Sequence, residues 1–429
     1  MILRDPVHGL VAFERPEEEV VVALLDTPEV QRLRRVRALG VASFAFPGAE
    51  HSRFAHAVGA AFVMGRFLAR CGPLAEALGV PALTTRDRED ALAAALIHDV
   101  GHGPLSHLFE EVFPAMPAHE AWTSRAVLDP STGIHRVLAA KDPGMPGRVE
   151  GLVHGRHPVS FLARAVSGTF DVDRCDYLLR DSYMTGTRYG LYDLDWLLRS
   201  LALDPEGRLA VDGTKGLPAV EGFFLARFFM YQQVYFHKAT RCGERLIRAV
   251  FARVADLVRG GSPPADTPRA LRSFAREEEV SLEDYLRLDD HTLWRAVEGW
   301  SHARDSVLAS LARRALTRSL FKTASLDGMD PAEDAALTLE LQELVAGRGL
   351  DPRYHAFHDR AVVQAYEAPE DPTQALRVLD ARHPPRPLEE ASYLIGRLAG
   401  EPFVRRRLIF PAEVREGVEA LLEARRPRR

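Results

Sequence analysis

The chain reads as a mainly α-helical protein with small β additions and a C-terminal lobe that mixes helix and strand. Three observations carry this. Apolar residues recur at helical spacing, as in Val30, Leu33, Val36 and Leu39, and again in Phe54, Val58, Ala61, Phe62 and Leu68. Strand-like stretches are short and confined to residues 1–20, 201–217 and 403–409. Of 429 residues, 46% are hydrophobic and 27% charged, ordinary values for a globular chain of one large domain with an appendage, or of two domains.

Residues 1–20 suggest a strand or hairpin turning at Pro6 and Gly9. A helix is expected from Thr27 to Gly40, with Arg32, Arg34, Arg35 and Arg37 between its apolar positions, and another from Ser52 to about Cys71. Residues 88–98 form an Ala/Leu-rich buried helix, and further helices are expected near 119–128, 158–166, 173–182, 218–255, 282–298, 303–322 and 331–346. Turn-rich loops fall at 141–147 and 256–268, and a β-hairpin at 201–217 turns on Pro205, Glu206 and Gly207. From about 350 Pro and charge increase, a strand is expected at 403–409 and a helix at 411–425, and the RRPRR ending reads as a solvated tail. No internal repeat is visible, and the division expected is a core over 1–325 and a C-terminal lobe over 326–429.

Several function classes lose support. The net charge is -5, whereas a nucleic-acid binder relying on bulk charge would be basic; a local basic pocket for a small polyanion stays open. Cys71, Cys175 and Cys242 are scattered and odd in number, so reduced thiols fit better than disulfides or a thiolate zinc site. The first residues lack the apolar core of a signal peptide, and apolar stretches such as the one ending at Ile97 are too short to span a bilayer. The expected location is the cytoplasm.

The sharpest feature is LIHDVGHGPLSHLFE, residues 96–110. His98 and Asp99 adjoin at the end of an apolar helix. His102, four residues on, is expected one turn further along the same face. His107 follows, and Gly101 and Gly103 allow close backbone approach. A bare His-Asp pair is usually structural, but three histidines and an aspartate in otherwise buried-looking chain call for pairing or a metal. His56 and Asp173 are the best further ligands. His56 shares a helix face with Arg53, while Asp173, Tyr177 and Asp181 recur every four residues. A surface ion pair and a solvated helix face are the plainer readings; Leu178, Leu179 and Tyr183 argue for burial. Two imidazoles and two carboxylates suit Mn, Fe, Ni, Co, Zn or Mg rather than copper or an iron–sulfur cluster. Such an ion activates water and polarises a phosphoryl oxygen. Arg227, Tyr231, Tyr235 and Lys238 are expected on one side of a single helix, a wall for a phosphate pocket or an ordinary amphipathic face. No Walker A loop or GxGxxG is present.

In sequence order, RDPVHG, DTPEVQRLRRVRALG, FPGAEHSRFAHAVG, HDVGHGPLSH, the His-Glu pair at 119–120, DVDRCDYLLRD, QVYFHK and LFK span roughly residues 1–325. Over that span the chain resembles the HD-domain deoxynucleoside triphosphate triphosphohydrolases. The resemblance implies an HD-superfamily helical core and one divalent transition metal (Mn, Fe, Ni, Co or Zn) on His56, His98, Asp99 and Asp173, with further Mg accompanying the nucleotide. It implies water attack at the α-phosphorus of a dNTP, giving deoxynucleoside and triphosphate. Arg53 and His102 would hold the α-phosphate region, and His107 and His119 would sit near the scissile bond. His119 would be the general acid, with Glu110 supporting it. Arg174, Tyr177 and Arg227 would hold the outer phosphates. Asp181 would receive the sugar 3′-hydroxyl, Leu39 would lie beneath the sugar, and Tyr235 would pack by sugar or base.

The chain departs from its vertebrate relatives at Ala38, where they have Gln, and at Phe236, where they have a polar residue; Glu110 stands for a family Asp. Asp5, Arg318 and Lys322 match residues of a regulatory nucleotide site, or close a contact between subunits. The family also implies a homo-oligomer, dimer or tetramer. Two other readings stay open: an HD phosphodiesterase or phosphatase acting on another nucleotide or nucleic-acid end, and a non-hydrolytic nucleotide sensor.

Overall fold

A long Ala- and Gly-rich helix, Arg53–Leu78, organises the chain, because its small residues let neighbours approach on every side. The computed structural model describes every residue except 81, 114–115, 368, 370–374, 401 and 426–429. The expected RRPRR tail therefore lies almost wholly outside the described residues. Against the long helix pack Thr85–Ile97, which carries the His-Asp pair at its end, and Val172–Thr185, which carries Asp173. Gly59 shows why small residues are needed. A Cβ there would lie 1.9 Å from Asp176 Oδ1, so a larger side chain would force the Asp173 helix away. The Thr85–Ile97 helix starts at a reciprocal cap, with Thr84 Oγ1 accepting from Asp87 N at 3.1 Å and Asp87 Oδ2 from Thr84 N at 2.9 Å. Its residues from Asp90 to Ile97 are all buried. Phe67 and Phe161 close the core around it, each worth about 1.5–3 kcal/mol of burial.

Nine strands make three small sheets: β1 (Ile2–Asp5), β2 (Gly9–Ala12), β3 (Leu201–Leu203), β4 (Leu209–Asp212), β5 (Lys322–Ser325), β6 (Phe357–Val363), β7 (Arg377–Asp380), β8 (His383–Pro387) and β9 (Phe403–Phe410), among the described residues. Strands β1 and β2 form the N-terminal hairpin, the second sheet runs β3-β4-β7-β8 and the third runs β5-β9-β6. Pairing of β4 with β7 is parallel. The sheets cross residue 325 in both directions: β5 pairs with β9, and β7 joins the hairpin of the helical core. The chain is mainly helical, with these sheets as small additions. Among the described residues no helix is long and apolar enough to cross a membrane.

Three expected elements differ. The helix from Thr27 ends at Arg32, and a 3-10 turn follows at Leu33–Arg35. Residues 36–38 then run beside 51–53, with Arg53 N donating to Val36 O at 2.8 Å and Ala38 N to His51 O at 3.0 Å; those backbone bonds take the place of a helical continuation. The helix expected over 218–255 is two helices, Leu217–Met230 and Lys238–Arg259, joined by a π-turn at Tyr231–Tyr235. Phe236 N reaches back five residues to Tyr231 O at 2.8 Å, so Arg227, Tyr231, Tyr235 and Lys238 do not share one straight face. The helix expected over 282–298 breaks at Asp289, which caps Asp290–Trp300.

Candidate active site and metal centre

Four of the expected residues meet where three helices converge. His56 Nε2 lies 3.0 Å from Asp173 Oδ1, 3.4 Å from His98 Nε2 and 3.7 Å from Asp99 Oδ2. His98 Nε2 lies 3.4 Å from Asp99 Oδ1 and 3.5 Å from Asp173 Oδ1. Two ligands about 2.1 Å from one ion, at angles between octahedral and tetrahedral, stand about 3.0–3.4 Å apart. The cluster is of that size or slightly wider, at 3.0–3.7 Å, and His56, His98 and Asp99 by themselves make a group that could hold an ion. Both imidazoles are also turned the right way. His56 Nδ1 is tied to Asp176 Oδ2 at 2.8 Å and His98 Nδ1 to the Ala95 carbonyl at 3.0 Å, which leaves both Nε2 atoms on the cluster. Burial works against the charged form of His56, but hydrogen bonds to Asp173 and Asp176 outweigh it and push the imidazole up to about 10. Burial likewise opposes charge on Asp173, and its contacts with His56 and His98 outweigh that and hold the carboxyl below its usual range. A divalent cation could take the place of those protons.

Behind the cluster stands Asp176, fully buried, with Arg180 Nε and Nη2 each donating at 2.8 Å and His8 Nε2 at 2.7 Å. Arg180 Nη1 donates in turn to Asp5 Oδ2 at 2.8 Å. The N-terminal hairpin is thus wired to the carboxylate that orients His56.

His102 is buried and lies between two carboxylates, with Nε2 3.3 Å from Asp99 Oδ1 and Nδ1 3.4 Å from Glu110 Oε1. It does not extend the helix of His98. That helix stops at Ile97, and the chain turns through Gly101, where a Cβ would lie 2.1 Å from the His119 carbonyl and 2.4 Å from Thr123 N. The close approach stacks His102 on His119, ring centroids 3.8 Å apart, with His107 edge-on to both. His119 Nδ1 lies 3.1 Å and His107 Nδ1 3.8 Å from Glu110 Oε1. Burial, aided by the Arg53 charge, lowers His102 to about 3. Burial would raise Glu110, but the three imidazoles around it, His102, His107 and His119, outweigh that and hold the carboxylate well below its usual range.

Arg53 joins the two clusters. Its Nη1 donates to Asp99 and its Nε to Ser106 Oγ at 2.7 Å. Leu105 and Ser106 are consecutive non-glycine residues at φ 56° and 58°, a conformation costing about 1–3 kcal/mol each.

The remaining expected residues lie outside these two clusters. Arg174 is tied to Asp171 and to the Gly168 carbonyl at 2.5 Å, and Arg227 to the Gln364 carbonyl at 2.8 Å. Both line a cavity of about 360 Å³. The Arg227 guanidinium stacks over Tyr231 at 5.1 Å, and the Tyr177 ring lies 6.4 Å from that of His56. Asp181 is held on both oxygens, by His51 Nε2 at 2.9 Å and by the Tyr235 hydroxyl, which donates at 2.7 Å. Leu39 is half-buried in the turn beside His51. Of the regulatory trio, Asp5 accepts from Val7 N and His8 N at 2.9 Å as well as from Arg180, Arg318 Nε donates to the Phe44 carbonyl at 2.7 Å, and Lys322 is exposed on β5.

Sequence reasoning passed over His8, His51, Ser106, Asp176 and Arg180 in any role. Asp176 and Arg180 were findable as an i, i+4 pair on the Asp173 helix. His8 and His51 stood inside quoted motifs, with nothing local to give their partners.

Comparisons with known proteins identify the family. The HD domain model matches residues 53–131 and the HD associated region model residues 192–260. The uncharacterized protein YwfO of Bacillus subtilis is 31% identical over 417 residues, 96% of this chain and 92% of that protein. The deoxynucleoside triphosphate triphosphohydrolase SAMHD1 of Danio rerio is 26% identical over 376 residues, 78% of this chain; the aligned part is 58% of that longer protein. A crystal structure of a phosphohydrolase from Bacteroides thetaiotaomicron superposes with a TM-score of 0.80 at 26% identity, covering 96% of this chain and 99% of that one. On this evidence the chain belongs to the HD-domain, dNTPase-like family and is a metal-dependent HD phosphohydrolase.

Proposed function

We propose that the protein hydrolyses deoxynucleoside triphosphates by water attack at the α-phosphorus, releasing deoxynucleoside and triphosphate. One observation carries the reading: the side chains of His56, His98, Asp99 and Asp173 and a His-His-Glu-His cluster lie side by side, joined through Asp99, which faces His98, His102 and Arg53. His56, His98, Asp99 and Asp173 would hold a cation (Mn, Fe, Ni, Co or Zn), which would supply a water nucleophile at neutral pH and polarise a phosphoryl oxygen.

The chain's own groups do the rest. Arg53 sets a guanidinium beside the cradle, where negative charge grows in the transition state. Glu110 faces His119 Nδ1 at 3.1 Å, so Nε2 is the atom that gives its proton to the leaving 5′-oxygen. His102 and His107 border the same space. Arg174, Tyr177 and Arg227 hold the outer phosphates, with Mg accompanying the nucleotide, and Leu39, Asp181 and Tyr235 take the sugar. Asp5, Arg318 and Lys322 belong to a regulatory nucleotide site of a cytoplasmic dimer or tetramer.

One observation favours a second reading, a different nucleotide or nucleic-acid end as substrate. Ala38 offers no side-chain amide, and His51 and Tyr235 already occupy both oxygens of Asp181, so strict readout of a 3′-hydroxyl has less to work with.

The test is incubation of Mn-loaded protein with each dNTP, each rNTP and a dNTP mixture, products being separated by ion-pair chromatography and Asp99→Ala serving as control. Deoxynucleoside plus intact triphosphate, absent from the control, is the expected outcome. Turnover only in the mixture points to the regulatory site. Free phosphate or diphosphate as product sinks the triphosphohydrolase reading and leaves the metal site standing.

A further inference from the structure

Ser106 sits at φ 58° and ψ -132°, a backbone conformation that glycine adopts without crowding and serine does not. What serine adds there is its hydroxyl, and both capacities of that hydroxyl are used. Ser106 Oγ donates to the Arg37 carbonyl at 2.8 Å and accepts from Arg53 Nε at 2.7 Å. The turn is held from outside by a residue that neither matched family region contains. Asp290, buried, accepts from Leu105 N through Oδ1 at 2.8 Å and from Arg37 N through Oδ2 at 3.0 Å. One carboxylate therefore clamps both chain segments between which the serine hydroxyl is strung. The preceding residues repeat the pattern: the Leu288 carbonyl accepts from Arg32 Nε at 2.9 Å, and Arg32 Nη1 donates to the His102 carbonyl at 2.9 Å. The strip Leu288–Asp290 fastens the two stretches of chain that carry the site's loops.

The consequence falls on Arg53. A guanidinium is planar, so fixing Nε on Ser106 and Nη1 on Asp99 fixes the plane of the whole fork. We infer that Ser106 and Asp290 are positioning residues that aim the Arg53 guanidinium at the phosphoryl group of the substrate. This rests on the proposed function only in taking a phosphate group to lie against Arg53; it holds for any phosphoester at this site. A serine kept merely to tie its own turn to Arg37 would make the same contacts but would not act through Arg53.

A double-mutant cycle on the Mn-loaded protein separates the two. Ser106→Gly removes the hydroxyl and relieves the backbone, and that relief offsets what the two lost hydrogen bonds cost the fold. The readouts are Mn content by mass spectrometry, affinity for inorganic triphosphate by calorimetry and, where turnover is seen, kcat and KM. Ser106→Gly is expected to keep its Mn and weaken triphosphate binding about tenfold, the scale of one hydrogen bond to a charged group. In an Arg53→Ala background it should cost nothing further. Asp290→Asn, which turns an acceptor toward either Arg37 N or Leu105 N into a donor, should show a smaller loss that is likewise absent beside Arg53→Ala. Unchanged binding in Ser106→Gly, losses that multiply with Arg53→Ala, or loss of Mn together with binding each overturn the inference, as does a wild-type protein that binds no triphosphate. Triphosphate binding that follows the cycle while every dNTP goes unhydrolysed sinks the proposed function and leaves the inference standing.

Discussion

Asp176 and Asp359 are two fully buried carboxylates neutralised by arginine, and they do different things. Asp176 is gripped by Arg180 through two nitrogens and by His8 and His56, and His56 is a candidate metal ligand. Asp359, on β6, is gripped by Arg241 Nη2 at 2.6 Å and Arg245 Nη2 at 3.1 Å, both from the Lys238–Arg259 helix. Burial raises both carboxyls, and the cations outweigh it and leave both below the usual range. At Asp176 the neutralising shell includes the working imidazole, so orientation of the site and stability of the fold are one set of bonds. At Asp359 the shell only fastens the C-terminal sheet to the helical core. The same physics serves chemistry in one place and assembly in the other.

The comparison breaks most readily at Asp176. Asn would keep the shape but set an amide NH2 against two of the four donors, since each carboxylate oxygen now accepts from two. Mn affinity is expected to fall about 10–100-fold, the usual cost of losing a group that orients a metal ligand. Titration calorimetry measures it. Affinity equal to wild type would show that His56 is oriented by the helices alone and would end the distinction drawn here.

Asp359→Ala should do the reverse. It leaves Arg241 and Arg245 without their shared carboxylate, and removing one partner of a buried pair costs about 3–5 kcal/mol. Denaturant unfolding reads that loss, and Mn affinity is expected to stay at the wild-type value. A change in Mn affinity would mean that the C-terminal sheet is coupled to the cradle.

The two knots also differ in how far sequence could reach them. His98, Asp99, His102 and His107 lie within ten residues, and His56 and Asp173 each stand in a helical pattern with apolar neighbours, so the residues of the cradle could be gathered from local spacing. Periodicity says which face of a helix is buried, but not what it meets. His8 reaches Asp176 across 168 residues and His51 reaches Asp181 across 130, and neither pairing leaves a trace in local pattern. The π-turn at Tyr231–Tyr235 was hidden for a related reason. One added residue per turn re-aims Tyr235 toward Asp181 while the apolar spacing on either side continues. Strands β6, β7 and β8 went unseen because all three carry charge, β8 is rich in proline as well, and β6 and β7 are held by partners far away in sequence, not by their own alternation.

The smallest effect, and the one that sharpens the contrast most, is the acid side of the stability curve. An aspartate whose carboxyl is lowered on folding contributes stability that is fully present above its unfolded value, about 3.9, and is lost as pH falls through the lower folded value. Asp359 is lowered in that sense, by Arg241 and Arg245 against the opposing effect of burial. The stability gap between wild type and Asp359→Ala should therefore be constant from about pH 5 upward and close progressively below about pH 4. Thermal melts of metal-free wild type and variant measure it, because the acid dependence of Asp173 and Asp176 is common to both proteins and cancels in the gap. A gap that stays constant down to pH 2 would mean that Asp359 acts through packing rather than charge, and the resemblance between the two knots would then be one of shape alone.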